Sequence, residues 1–136
     1  MTKADLNYNE APTPVLLAAL HVATAMARSG LTTFHVAHEL RIDEEHAQEL
    51  INRTPSGAFT YTKHDGFHYQ KAPEIIRHMV LQSFIDDVQR TNRPEDIAPL
   101  YGLRPFSIAN WRRNYRQLTE SKELLNINAW VKSLTK

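Results

Sequence analysis

Arg104, Asn110, Arg112, Arg113 and Arg116 fall within one short stretch, and no carboxylate occurs between Asp96 and Glu120. A guanidinium stays charged and presents its donors as a planar fork, which suits phosphate oxygens or the O6 and N7 atoms of guanine. The asparagine amide suits the N6 and N7 atoms of adenine. Small Ser107 and Ala109 beside them would let a helix lie deep in a groove. Arg104, Asn110 and Arg113 are the candidates for base contact, and Ser107, Arg112, Arg116 and Gln117 are the candidates for phosphate contact.

Those side chains need a helix whose other face is anchored. Ile108, Trp111, Tyr115 and Leu118 recur at i, i+3, i+7 and i+10, which predicts a helix around 105–117 with an apolar stripe turned inward. Pro105 suits its first turn, where a missing N–H costs little. Ahead of it, Ile97 and Ala98 belong to a shorter helix starting at Pro94, and Gly102 supplies a turn with positive φ before Leu103. An interior proline costs roughly 3 kcal/mol in an ordinary helix, so Pro99 predicts that this first helix is a turn or two long, or kinked. The stretch from 94 to 118 resembles the helix-turn-helix of DNA-binding proteins. That resemblance implies double-stranded DNA as partner and transcription regulation by occupancy of a site, without chemistry. Dimers with reading helices about 34 Å apart are common among such proteins, and a homodimer is open here.

The first half predicts a similar unit with a different surface. Residues 1–13 are polar and read as a flexible or loosely docked arm. A long apolar helix follows from Pro14, capped by Thr13 and stopped by Gly30, with His21 as a partly buried group among its apolar residues. Thr33 is expected to cap a helix over 34–40, Arg41-Ile42 to form a turn, and Asp43 to cap a helix from Glu44 to about Arg53. Val36, Ala37, Leu40, Ile42, Ala47 and Leu50 repeat the interior spacing of the later unit. The second helix, however, opens with Asp43, Glu44 and Glu45, and Glu49 follows one turn on. Such acids favour a helix N-terminus but oppose a phosphate backbone. This unit therefore reads as scaffold or protein-contact surface. It keeps a second function open, that of an adaptor touching transcription machinery or another regulator.

Residues 57–71, GAFTYTKHDGFHYQK, alternate as a strand does, and Asp65-Gly66 predicts a hairpin turn. A three-residue loop ending at Gly66 puts Phe59, Tyr61, Phe67 and Tyr69 on one face. Three helices followed by a hairpin resemble a winged helix architecture. Lys63 and His64 at the tip would either touch a DNA backbone or minor groove, or stand in solvent. From Pro73 to about Arg90, Ile75, Ile76, Met79, Val80, Phe84, Ile85 and Val88 predict one long linking helix, with adjacent Asp86 and Asp87 on its solvated face. The apolar tail predicts a last short helix capped by Asn128 that closes the core or forms a dimer contact. The expected fold is mainly α with one small β-hairpin. It comprises an arm (1–13), a winged helix-like unit (14–72), a linking helix (73–91) and a basic helix-turn-helix with a C-terminal helix (92–136).

Composition sets the outer limits. A chain of 136 residues makes one domain, or two very small ones sharing a core. The absence of cysteine excludes disulfides, thiolate metal sites and cysteine nucleophiles. The N-terminus lacks a signal core, and no run approaches the roughly 18 apolar residues of a membrane span. A soluble, cytoplasmic protein is expected. Residues 1–72 carry 6 basic side chains against 8 acidic, and residues 73–136 carry 10 against 7, so any basic face is local. There is no phosphate-cradling glycine loop and no nucleophile with an arranged base. His35 and His38 stand at i, i+3, but Glu39 is expected to point elsewhere. No metal, no cofactor and no enzymatic activity are expected.

Overall fold

The computed structural model describes residues 6–53, 67 and 69–135, and every regular element among them is helical. In chain order these are α1 (Thr13–Arg28), α2 (Thr33–Leu40), α3 (Glu44–Arg53), α4 (Glu74–Thr91), α5 (Pro94–Ile97), α6 (Ser107–Glu120) and α7 (Ile127–Leu134). Tight 3₁₀ turns stand at Tyr8–Glu10, Tyr69–Lys71 and Ala98–Tyr101.

Helix α1 is the centre of the fold because it is apolar on most of its circumference. Val15, Ala18, Ala19, Leu20, Val22, Ala23 and Met26 are all buried, and α2, α3, α4 and α7 pack around them. The helix begins one residue earlier than its sequence signals, with Pro12 at the cap position and Thr13 buried inside the first turn. It ends where Gly30 turns left-handed (φ 89°), which lets the Leu31 N–H reach Met26 O at 3.1 Å. His21, expected among buried neighbours, stands on the exposed side of α1. Helix α4 contributes Ile75, Ile76, Val80, Phe84, Ile85 and Val88 to the same core. Asn92 in left-handed conformation ends it, and Pro94 restarts the chain as α5.

The expected hairpin and winged unit are not seen among the described residues. Among the described residues there is no strand, and Tyr69–Lys71, the end of the expected second strand, forms a 3₁₀ turn. Two contacts explain it. The Lys71 carbonyl accepts from the Arg41 guanidinium at 2.7 Å, and the Tyr69 hydroxyl donates to Tyr101 O at 2.5 Å. The Phe67 and Tyr69 rings pack edge to face at 4.8 Å, with Tyr69 in that turn. Most of the expected hairpin, including Lys63 and His64 at its tip, lies outside the described residues.

The arm is tied down from Leu6 onward. Tyr8 is fully buried, its hydroxyl donates to Leu40 O at 2.9 Å, and its N–H donates to His46 Nε2 at 3.1 Å. Asn9 Nδ2 donates to Glu49 Oε1, and Arg53 donates to Asn9 Oδ1. Burial pushes the Tyr8 phenol above its ordinary range, so it stays a donor.

The opposite end of the chain closes on α4. Asn126, not Asn128, caps α7, its side chain accepting from the Asn128 and Ala129 N–H groups. Val131 is buried, which makes α7 part of the core. His78 on α4 holds the approach to α7, its Nδ1 accepting the Leu125 N–H at 2.9 Å. That bond requires an unprotonated Nδ1. Burial lowers the His78 pKa, with Glu74 and Glu123 opposing the shift and Arg77 adding to it. A histidine with a lowered folded pKa binds more protons when unfolded. Its contribution is therefore complete above the ordinary value near 6.5 and is lost as pH falls below it. The thermal midpoint should drop on acidification from about pH 7.5 to about pH 5. It should drop less in His78→Asn, whose Oδ1 replaces the acceptor without titrating. Equal drops in the two proteins, read by thermal denaturation across that range, would place the pH dependence elsewhere.

Candidate nucleic-acid interface

The basic unit is built from α5, the 3₁₀ turn Ala98–Tyr101 and α6. The Ala98 N–H bonds to Pro94 O and closes the single turn of α5. Pro99 then falls in the first turn of the 3₁₀ segment, a position that asks for no donor. The proline sets the change from α to 3₁₀ and leaves the first helix two turns long. Gly102 (φ 68°) closes it, with Leu103 N–H on Ala98 O at 2.9 Å and Gly102 N–H on Pro99 O at 3.1 Å.

The α2–α3 turn has the same closure. Ile42 N–H bonds to Ala37 O at 3.0 Å, and Arg41 N–H bonds to His38 O at 3.3 Å. Arg41 takes the left-handed conformation (φ 60°) that glycine takes in the later unit. Left-handed backbone is costly for a residue with a Cβ, and here the guanidinium bond to Lys71 O offsets part of that cost. Thr32, rather than Thr33, caps α2 through the His35 N–H, and Asp43 caps α3 through the His46 N–H. The interior positions Val36, Ala37, Leu40, Ile42, Ala47 and Leu50 correspond at one constant offset to Ile97, Ala98, Tyr101, Leu103, Ile108 and Trp111. Apolar spacing and turn closure thus recur, but the packing differs: α2 lies directly on α3, whereas α6 packs chiefly on α4.

Helix α6 has no fully buried residue. Ile108, Trp111 and Tyr115 are half-buried against the core, and Leu118 continues their stripe. The main anchor is aromatic. Trp111 meets Tyr69 at 4.9 Å, Phe84 at 5.3 Å and Tyr101 at 6.3 Å between ring centres, all edge to face. Behind the rings, buried Tyr101 donates its hydroxyl to Asp87 Oδ2 at 2.6 Å. That leaves Ser83, at 2.7 Å from the phenol oxygen, to donate to it. Asp87 is thus not on a solvated face. It turns inward to hold the 3₁₀ turn, while neighbouring Asp86 stays exposed and accepts from Gln82.

With the stripe turned inward, Ala109, Asn110, Arg113 and Arg116 form the outward face of α6, and Arg112 and Gln117 flank it. All six are exposed, as are Arg104, Pro105 and Phe106 on the turn that leads in. Ser107 is half-buried and lies nearer the core side than its expected phosphate role implies. The helix itself starts at Ser107, after a turn in which Ser107 N–H bonds to Arg104 O at 2.9 Å. The Arg113 guanidinium donates to Asn110 Oδ1, joining two of the base-contact candidates. A carbonyl oxygen with a second lone pair can still accept from a base while so held.

The arginines differ sharply in their partners. Arg90 pairs with Asp87, and Arg93 pairs with Asp96 at 3.5 Å. Among the described residues, Arg104, Arg112, Arg113 and Arg116 have no carboxylate partner. Gln117 and Asn114 edge a cleft of about 610 Å³ between α6 and α4, with Arg77 on its far wall. Arg77 was not singled out in the sequence because its helix, α4, reads as a core element. Spacing along α4 says nothing about its proximity to α6.

Helix α3, the counterpart of α6, is unlike it on the outside. Its outward positions include exposed Glu45 and Glu49, and the N-terminal segment lies along its flank through Asn9 and Tyr8. On α2, Glu39 does not point away from the histidines: His35 Nε2 stands 3.8 Å from its Oε1. No group of three metal-ligating side chains occurs among the described residues. No described helix is long and apolar enough to cross a membrane.

Tyr101→Phe keeps the ring contacts and removes the bond that Asp87 and Ser83 share. The expected cost is about 1–3 kcal/mol, since the half-buried Asp87 carboxylate keeps Arg90 but loses the phenol on its other oxygen. A denaturant midpoint lowered with an unchanged slope checks this, and an unaltered midpoint would mean that water replaces the phenol. No family model, curated protein or solved structure matches this chain, which leaves the side chains of α6 as the ground for a functional reading.

Proposed function

We propose that this chain is a sequence-specific DNA-binding transcriptional regulator that lays α6 in the major groove and acts by occupying its site. The carrying observation is the outward face of α6. Arg113 and Arg116 stand there exposed with Arg112 at the flank, none with a carboxylate partner among the described residues, small Ala109 lies among them, and the next carboxylate is Glu120 at the far end. A monomeric protein gains nothing from placing three such arginines together on one helix, since like charges at this spacing cost a few tenths of a kcal/mol each. Phosphates would neutralise them. Arg113 lies at the middle of the face and, with Asn110 and Arg104, is assigned to bases; Arg112, Arg116, Gln117 and Ser107 are assigned to the backbone.

A second reading, contact with another protein, is favoured by the first unit. Phe34 on α2 is 68% exposed, and the outward side of α3 is acidic. The two readings separate by salt, because phosphate contacts weaken steeply with ionic strength and an apolar interface does not.

Selection of bound duplexes from a random pool at two salt concentrations tests the first reading directly. Arg113→Ala should cost about 1–3 kcal/mol on the selected site and relax the preference at one base pair. Arg116→Ala should weaken selected and random duplexes alike and reduce the salt slope by about 1. Failure of the wild-type chain to enrich any motif at either salt would favour the protein-contact reading.

A further inference from the structure

Phe106 is 73% exposed, and no packing in the chain accounts for it. Its backbone stands immediately before the first residue of α6, where a short polar side chain would normally accept from the free N–H groups of the first turn. No side chain does so here. The first unit, whose turn closes in the same way, carries no aromatic ring at the matching position. At the same offset within that unit stands Glu45, also exposed, in the first turn of α3, whose cap is Asp43. The later unit exchanges Asp43, Glu44 and Glu45 for Arg104, Pro105 and Phe106. A capped, acidic entry has become an uncapped one that is basic and aromatic.

The neighbourhood decides what such a ring can meet. Around Phe106 the exposed side chains are Arg104, Pro105, Ala109 and Asn110, with Arg113 about two turns on. The apolar part of that surface is one ring, a proline and a methyl group, too small for the desolvated centre of a protein interface. Its charge suits a polyanion. In a major groove lined by phosphates, the apolar group on the base edges is the C5-methyl of thymine.

Resting on the reading of α6 as a major-groove helix, we infer that Phe106 packs on the C5-methyl of a thymine. That thymine lies at the end of the site facing the N-terminus of α6, beside the base read by Asn110. The ring selects thymine there over cytosine, which presents no methyl group.

The test uses the full chain and a duplex obtained by selection. Each thymine is replaced in turn by deoxyuridine, which removes the methyl group and leaves the hydrogen-bonding edge intact. Wild type should lose about four-fold in affinity at one position, the value of one buried methyl group. Phe106→Ala should bind the parent duplex as wild type binds that deoxyuridine duplex, and should be indifferent to the replacement. Phe106→Leu should retain part of the discrimination. Because the ring is exposed, Phe106→Ala should keep the wild-type thermal midpoint. If wild type binds a selected site yet no deoxyuridine weakens it, or if the loss persists in Phe106→Ala, the thymine contact is wrong while the DNA reading stands. If wild type selects no site at all, the DNA reading fails and this inference falls with it.

Discussion

Trp111 is where α6 is held, and most of what distinguishes this helix follows from how little else holds it. Edge-to-face pairs of this kind contribute about 0.5–1.5 kcal/mol each beyond the area they bury, and Trp111 makes three, with Tyr69, Phe84 and Tyr101. Those partners come from three separate segments. Tyr69 lies in the turn after the first unit, Phe84 in α4 and Tyr101 in the 3₁₀ turn just ahead of α6. The ring therefore locates α6 against both halves of the chain at once. Since the helix buries no side chain completely, one narrow stripe suffices to dock it, and the remaining circumference is left for exposed arginine and asparagine.

The same apolar spacing and turn closure occur twice, with different packing and opposite surfaces. The closures agree from Ala37 and Ile42 to Ala98 and Leu103 because each ends a helix at a left-handed residue. The outward positions are under no such constraint, and they diverge in sign. Glu45 and Glu49 mark α3, whereas Arg113 and Arg116 mark α6. The N-terminal segment adds to the contrast by covering one flank of α3 through Tyr8 and Asn9. Interior pattern is thus evidence for architecture, and exterior charge is the evidence for use.

That division also explains what could be read before the structure. Helices α1 to α4 and the stripe of α6 were legible because their signals are local: apolar residues at helical spacing, a glycine or asparagine at a stop, a proline at a start. Pro99 was legible as a disturbance, and the change to a 3₁₀ turn is its resolution. The end of the expected second strand was misread because an aromatic residue such as Tyr69 suits a strand and equally a turn whose ring faces inward. What selects the turn is the bond from Arg41 to Lys71 O and that from Tyr69 to Tyr101 O, both between residues 30 or more apart in sequence. Asp87 was misread for the same reason, as nothing near it in sequence announces Tyr101. The docking of Tyr8 under Leu40 is likewise long-range, and a polar arm gives no local sign of it.

Helix α4 ties these distant contacts together. Phe84 supports Trp111, Ser83 and Asp87 fix Tyr101, and His78 receives the Leu125 N–H ahead of α7. One helix therefore bears on the basic unit through rings and a phenol and on the C-terminal segment through an imidazole, while its apolar side joins the core around α1. Under the proposed function α6 gains from such a mount, since side chains held in place before binding lose less freedom on binding. Arg112 and Arg116 are long and exposed at the tip, but the backbone that carries them is mounted through Trp111. Asn110, shorter and held by Arg113, combines both features: a fixed amide on a fixed helix, at the middle of the surface that the rest of the fold leaves uncovered.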